Sequence, residues 1–186
     1  MNGFSPHTMK TAPEGSRDGL REVEQGLGFI PNMMAVLAES PAALDAYQGI
    51  HAAFARSSFS AAEQQFLALS VSICSECYYC VPVYSLFAKK AGVPEEVINA
   101  VRDGKVIRDG RYSALRSFAA AVIKKRGQVS GAEVDNFKDA GFTKAQVLEV
   151  IIAAAFKLIS NYTNHIADIP LDEAFQSFLW KEAKAA

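Results

Sequence analysis

Ahead of three apolar-periodic runs in this 186-residue chain, a Ser or Thr stands three residues before a Glu or Gln: Ser60–Glu63, Ser130–Glu133 and Thr143–Gln146. At that spacing the hydroxyl accepts from the third N–H of a helix, and the acid or amide reaches back to the capping residue's own N–H. Each pair therefore marks a helix start. Ser40-Pro41 marks another, a capping residue directly before a proline at the first helical position. Gly92, Gly127 and Gly141 each follow a run that reads as helical, where a left-handed closing residue belongs. Between these marks the apolar residues recur at three and four, as in Leu115, Phe118, Ala119 and Val122, then Val147, Val150, Ile151 and Ala154. Alternating β-branched stretches are nearly absent. The fold class is all-α, with helices expected over 17–27, 32–38, 41–56, 61–75, 78–91, 94–102, 112–126, 131–140, 144–167 and 172–184.

Half the residues are apolar or aromatic and 21% are charged, a globular composition. The expected organisation is one domain over 16–186 behind a flexible arm over 1–15, with Asp103 to Gly110 as the best internal hinge. Nineteen Lys and Arg face twenty Asp and Glu, for a net charge of −1. That balance lacks the basic excess of a nucleic-acid binder. The longest unbroken apolar run, Val150 to Phe156, stops at Lys157. It falls far short of the ~20 residues of a membrane span. The N-terminal MNGFSPHTMK has no apolar core of a secretory signal. A soluble, cytoplasmic chain with no membrane or nucleic-acid partner is the expectation. The alanine-rich stretch 144–167 is apolar on most sides, as for a helix buried centrally or at a subunit contact.

All three cysteines, Cys74, Cys77 and Cys80, fall within seven residues. A disulfide framework would spread them to close long loops. Clustered thiols point instead to metal or redox chemistry. A zinc site wants further ligands, and only His7, His51 and His165 are available. Three thiolates cannot complete an iron–sulfur cluster, and a thioredoxin-like motif needs strands. Cys77-Tyr78-Tyr79-Cys80 places two thiols three apart at a helix start, with Pro82 suited to the first turn. There the positive helix end favours a thiolate, and small adjustments close a disulfide. The bland alternative is buried core cysteines. Cys74, on the stripe Leu67, Ser70, Cys74, reads that way.

The run Ser60 to Gly92, SAAEQQFLALSVSICSECYYCVPVYSLFAKKAG, resembles the AhpD-like (alkylhydroperoxidase D-like) branch of the carboxymuconolactone decarboxylase family. Gly28-Phe29-Ile30-Pro31-Asn32-Met33-Met34 is similar to the start of the family's second helix. Asn161-Tyr162-Thr163-Asn164-His165 with Ile169-Pro170-Leu171-Asp172 is similar to its C-terminal signature. The resemblance implies an AhpD-like bundle of about eight to ten helices, assembled as a homotrimer or homohexamer. It also implies thiol-dependent reduction of a hydroperoxide substrate. Carried over, Cys80 attacks the peroxide and Cys77 resolves the sulfenic acid as a disulfide. No cofactor is implied, only an external thiol or dithiol reductant. The decarboxylase branch lacks the CxxC, so that activity is the lesser inheritance. A non-catalytic redox switch or interaction protein on the same fold is the rival from another class.

The sequence departs from the family at two positions. Tyr84 stands where the family has His, four residues after Cys80, so the two share a helical face. A neutral phenol there can hydrogen-bond a thiolate but is a poor proton acceptor. Gln65 stands at the usual acidic position, 12 residues before Cys77, and Glu63 lies two residues earlier. Glu63 reads equally as the Ser60 cap partner or as an inward acid on the face of Leu67, Ser70 and Cys74. Asn161 and Asn164, one turn apart, read either as paired helix-contact amides or as walls of the thiol pocket. His165 beside them is a further pocket candidate, as is Tyr79. Tyr78, Tyr79 and Trp180 read most simply as packing aromatics. His7 is expected exposed in the arm, and His51 partly buried on its helix.

Overall fold

The computed structural model describes residues 2–180. These form nine α-helices: α1 (Arg17–Leu27), α2 (Asn32–Leu37), α3 (Pro41–Ala55), α4 (Ala61–Cys74), α5 (Cys80–Lys90), α6 (Glu95–Arg102), α7 (Gly110–Lys124), α8 (Gly131–Asp139) and α9 (Lys144–Ala167). Two 3-10 segments, Glu14–Ser16 and Glu173–Phe178, complete the described residues, which contain no strand.

The capping signals act as their spacing predicts. Ser60, Ser130 and Thr143 each accept from the third backbone N–H while Glu63, Glu133 and Gln146 reach back, so α4, α8 and α9 start with reciprocal caps. Ser40 accepts from Ala43 N at the start of α3, with Pro41 in first place. Gly92, Gly127 and Gly141 close their helices at φ +86°, +79° and +90°, a conformation glycine adopts without steric cost.

Helix α4 is the hub, packed against α5, α7 and α9, while α3 lies along α9. The core is built from side chains such as Phe66, Leu67, Leu69, Val71, Phe156 and Leu115, all fully or almost fully buried. At 24 residues α9 is long and apolar enough to cross a membrane by length and composition, more than its longest unbroken apolar run suggests. Its inner face instead meets α2, α3, α4 and α7 and buries polar Lys157, Ser160, Asn161 and Asn164.

Two expectations change. The segment read as a loose arm makes defined contacts: Asn2 Nδ2 donates to Ile166 O at 2.7 Å, His7 N donates to Ala35 O, and Ala12 is buried. His7 itself, expected exposed, meets Glu39 Oε2 at 2.7 Å with its side chain mostly covered. The helix expected over 172–184 is only the 3-10 segment Glu173–Phe178 as far as residue 180; residues 181–184 lie outside the described residues. Arg102 gives the reason. Its guanidinium takes the carbonyls of Phe178 and Leu179, at 3.1 Å each, and turns them outward from any helical ladder. Trp180 donates to Arg102 O at 3.1 Å, consistent with a packing role.

Candidate active site

The thiol pair is placed by how α4 ends. Cys77 N donates to Ser72 O and Glu76 N to Ile73 O, the paired bonds that close a helix around a left-handed residue. That residue is Glu76, at φ +52°, a conformation non-glycine residues adopt at a cost. The reversal delivers Cys77 to the interior, and after Tyr79 the chain re-enters a helix with Cys80 first and Pro82 third. Both positions suit their residues, because first-turn N–H groups have no helical acceptor. Cys80 N instead donates to Cys77 Sγ at 3.2 Å.

Both thiols are buried and free, yet their surroundings differ. Cys80 Sγ lies 3.5 Å from Asn164 Nδ2 and 3.9 Å from Ser160 Oγ. Ser160 Oγ in turn accepts from Lys157 Nζ at 3.0 Å. Burial alone would push the Cys80 thiol up. Hydrogen bonding with Cys77, the Lys157 charge and the Ser160 hydroxyl outweigh it and bring Cys80 from 9.0 down to about 6. Cys77 goes the other way: burial first, then the hydrogen bond and negative charge at Cys80, hold it well above the ordinary thiol range. The surroundings thus favour the thiolate at Cys80 and the neutral thiol at Cys77.

Cys80 forms part of the wall of a cavity of about 410 Å3 between α1, α2, α3, α5 and α9. Met33, Met34, Val83, Phe87 and Phe175 make its apolar sides; Tyr47, Tyr84, Lys157 and Ser160 make its polar floor, and Glu22, Gln48 and His51 also line it. Cys77 is not among the lining residues, so a ligand entering the cavity meets Cys80 first. The Lys157 ammonium sits 4.0 Å from the centroid of the Tyr84 ring. Burial and mutual interaction raise the Tyr47 and Tyr84 phenols, which stay neutral donors. Burial, and then the Lys157 charge, lower His51. Tyr79 lines the cavity with its hydroxyl committed elsewhere, donating to Asp172 Oδ2 at 2.5 Å and accepting from Met33 N.

The sequence candidates therefore divide. Cys77, Cys80, Tyr79, Tyr84 and Asn164 come together, and Tyr84 makes no hydrogen bond to Cys80; its ring faces Lys157 instead. Glu63 does not join them. It completes the Ser60 cap and pairs with Arg111 Nε at 2.5 Å, near the far end of α4 from the thiols. Gln65, half-buried on the same helix, is absent from the cavity lining, and His165 is exposed on the outer face of α9. Asn161 is fully buried, and neither end of its amide has a hydrogen-bond partner among the described residues. His51, expected partly buried, is exposed as a residue, while its ring is covered where it stacks near Tyr47 and meets Phe156 edge-on. Cys74 is half-buried rather than fully in the core.

Sequence reasoning missed Lys157, Ser160 and Tyr47. The Lys157 signal was present: a lone cation interrupting AAAFKLIS in a helix otherwise suited to burial. Lysine is almost never fully buried without a partner, so that interruption deserved a functional reading. Among the described residues, no three His, Cys, Asp or Glu side chains gather where they could hold a metal ion.

The profile of the carboxymuconolactone decarboxylase family matches residues 38–122, which span α3 to α7 and both thiols but not α9. No curated protein matches the chain in sequence. Solved structures share the fold at low identity. The AhpD core of an uncharacterized peroxidase-related protein from Ralstonia eutropha JMP134 superposes with a TM-score of 0.81 at 22% identity, over 94% of this chain and 96% of that one. An uncharacterized peroxidase-related protein from Silicibacter sp. TM1040 gives 0.77 at 15%, over 93% and 94%. The debrominase Bmp8, in complex with 2,3,4-tribromopyrrole, gives 0.78 at 18%, over 96% of each chain.

Proposed function

We propose that the chain is an AhpD-like member of the carboxymuconolactone decarboxylase family, whose profile matches residues 38–122, and that it is a dithiol peroxidase reducing organic hydroperoxides through Cys80 and Cys77. One observation carries this reading: an activated thiol on the cavity wall with a second thiol directly behind it. The Cys80 thiolate attacks the outer peroxide oxygen, the O–O bond breaks, and the departing alkoxide takes a proton to leave as an alcohol. Cys80 is left as a sulfenic acid. Burial still raises Cys77, but the negative charge at Cys80 that added to it is then gone, while Lys157 and the Cys80 N–H favour a Cys77 thiolate. Cys77 attacks the sulfenic sulfur, water leaves, and a disulfide forms. An external dithiol returns both electrons; no organic cofactor or metal enters the cycle.

A second reading is supported by the aromatic-walled cavity, roomy enough for a substituted ring, and by the debrominase among the fold neighbours. The same dithiol would replace a carbon–halogen bond with carbon–hydrogen, releasing halide and a proton as the disulfide forms. Stopped-flow mixing of reduced protein with hydrogen peroxide, cumene hydroperoxide and a bromopyrrole tests these readings together. Rapid peroxide loss with dithiol-driven turnover supports the first, and bromide release the second. Slow, stoichiometric oxidation without turnover leaves only a redox switch.

We also propose a homo-oligomer. Leu148, Ile152, Ala155, Ile159, Tyr162 and Ile166 repeat at alternating four and three along the outer face of α9, the spacing of a helix-pairing seam. Leu148, Tyr162 and Ile166 are exposed. A second copy packed along this seam would cover it. Light scattering that returns 20.1 kDa at micromolar concentration contradicts assembly.

A further inference from the structure

Lys157 is fully buried, and its ammonium has three hydrogens to place. Ser160 Oγ takes one at 3.0 Å, and the Tyr84 ring face lies 4.0 Å away. No carboxylate pairs with it among the described residues. Among the described residues Glu22 is the single acid on the cavity lining, and Asp172 is held by Tyr79 and by Asn32 N. The charge that answers Lys157 is the Cys80 thiolate, which shares Ser160 with it. A buried charge deprived of its partner is strongly unfavourable.

Oxidation removes that partner. One thiolate and one thiol become a disulfide, with loss of two electrons to the oxidant and one proton to solvent, and the negative charge beside Lys157 disappears. The ammonium then faces a partly open cavity whose exposed lining includes Glu22, Gly26, Leu27 and His51, with the neutral Tyr47 and Tyr84 hydroxyls also on its wall.

We propose that the cavity floor at Lys157 is a redox-gated anion site, filled by the Cys80 thiolate in the dithiol state and by a small monovalent anion of halide size in the disulfide state. This rests on the reading of Cys80 as the thiolate of a Cys77–Cys80 redox pair. Linkage makes the effect reciprocal: the anion stabilises the disulfide, and reduction expels it.

The test uses chloride as the probe and diamide as the oxidant, so peroxide reactivity plays no part. The disulfide–dithiol equilibrium is measured against a dithiol redox buffer at mildly alkaline pH. Chloride is raised against gluconate at constant ionic strength. Above its dissociation constant, each tenfold rise in chloride shifts the equilibrium tenfold toward the disulfide, about 30 mV. Lys157→Met removes the dependence. Cys80→Ser, which has no thiolate to compete, binds chloride under reducing conditions, seen as broadening of the chloride resonance; reduced wild-type protein does not. A chloride-independent equilibrium overturns the proposal, as does dependence that survives Lys157→Met or equal binding to reduced and oxidised protein. Release of a second proton on oxidation also overturns it, because Lys157 would then have neutralised itself. Failure of diamide to form the disulfide sinks the redox reading instead, and chloride binding by Cys80→Ser still decides the site.

Discussion

The two ends of α4 carry buried polar groups of opposite design. At its start Glu63 accepts from Ser60 and Arg111, and Arg111 also donates to Gly141 O and stacks 4.0 Å over the Phe142 ring. Every charge there has an opposite charge or a cap, and the Arg111 side chain remains 43% exposed. Beyond its end, some 16 Å further along at 1.5 Å per residue, Cys77 and Cys80 meet an ammonium that has no carboxylate partner among the described residues. The first arrangement fastens α4, α7 and the α8–α9 turn together. The second is poor architecture unless a thiolate or a ligand completes it, which is where function is expected to reside.

The sharpest way to break that contrast is at the thiols. Cys80→Ser is expected to abolish reaction with peroxide, whereas Cys77→Ser still reacts and accumulates a sulfenic acid. Mass spectrometry after one equivalent distinguishes them, and sulfenic acid on Cys77 in Cys80→Ser reverses the assignment. Lys157→Met comes next. Loss of the cation raises the Cys80 pKa, so a rate expected to climb with pH through about 6 in the wild type should climb at higher pH in the variant. The neutral-pH rate should fall by roughly the 10²–10³ typical of removing one electrostatic stabiliser. Tyr84→Phe keeps the ring beneath Lys157 and should change the rate by no more than about the few-fold of a neutral hydrogen bond. A large loss would show that the phenol itself serves the thiolate.

How far these groups were legible follows from their physics. The caps at Ser60, Ser130 and Thr143 and the closing glycines act within a few residues of chain, so the helices of the core were readable almost to the residue. The CxxC was legible for the same reason. The floor of the site was not, because Lys157, Ser160 and Asn164 reach Cys80 from 77 to 84 positions away in sequence. Which face of α9 turns inward is settled by packing against α3 and α4. Glu63 was ambiguous because cap and inward acid demand the same residue on the same face, and Arg111, 48 positions away, decided it. The C-terminal segment failed through Arg102, a tertiary contact that overrides local helical preference.

The paired end of α4 should reveal itself in stability rather than rate. Burial alone would raise Glu63; the bonds from Ser60 and Arg111 outweigh it and hold the carboxyl below its ordinary 4.5. A carboxyl depressed by folding adds stability that is complete above its unfolded pKa and lost as pH falls through the folded one. Wild-type protein should therefore lose this contribution below about pH 4.5, while Glu63→Gln should lack it at neutral pH. A glutamine can keep the reciprocal cap, as at Gln146, so loss of the charged, partly exposed pair with Arg111 is worth up to about 1 kcal/mol by urea denaturation. The Cys80 reaction rate should be unmoved. A rate loss in folded Glu63→Gln protein would join the two ends of α4 into one site.

The smallest effect lies at the hinge between the two designs. Glu76 holds φ +52° so that Cys77 can turn inward, and nothing in that conformation uses the carboxylate's charge. Glycine meets no Cβ penalty there, so Glu76→Gly removes roughly 1 kcal/mol of strain. It also frees the unfolded chain, which offsets part of the gain. The net result should be a stabilisation below about 1 kcal/mol. Glu76→Ala keeps the penalty and should gain nothing, which separates strain relief from loss of charge. The two variants also report on the thiols. If the left-handed turn merely positions Cys77, both should form the disulfide at the wild-type rate after Cys80 is oxidised. A slower resolving step in Glu76→Gly alone would mean that the strained residue keeps Cys77 pressed against its partner, and that the cost of the turn is part of the reaction.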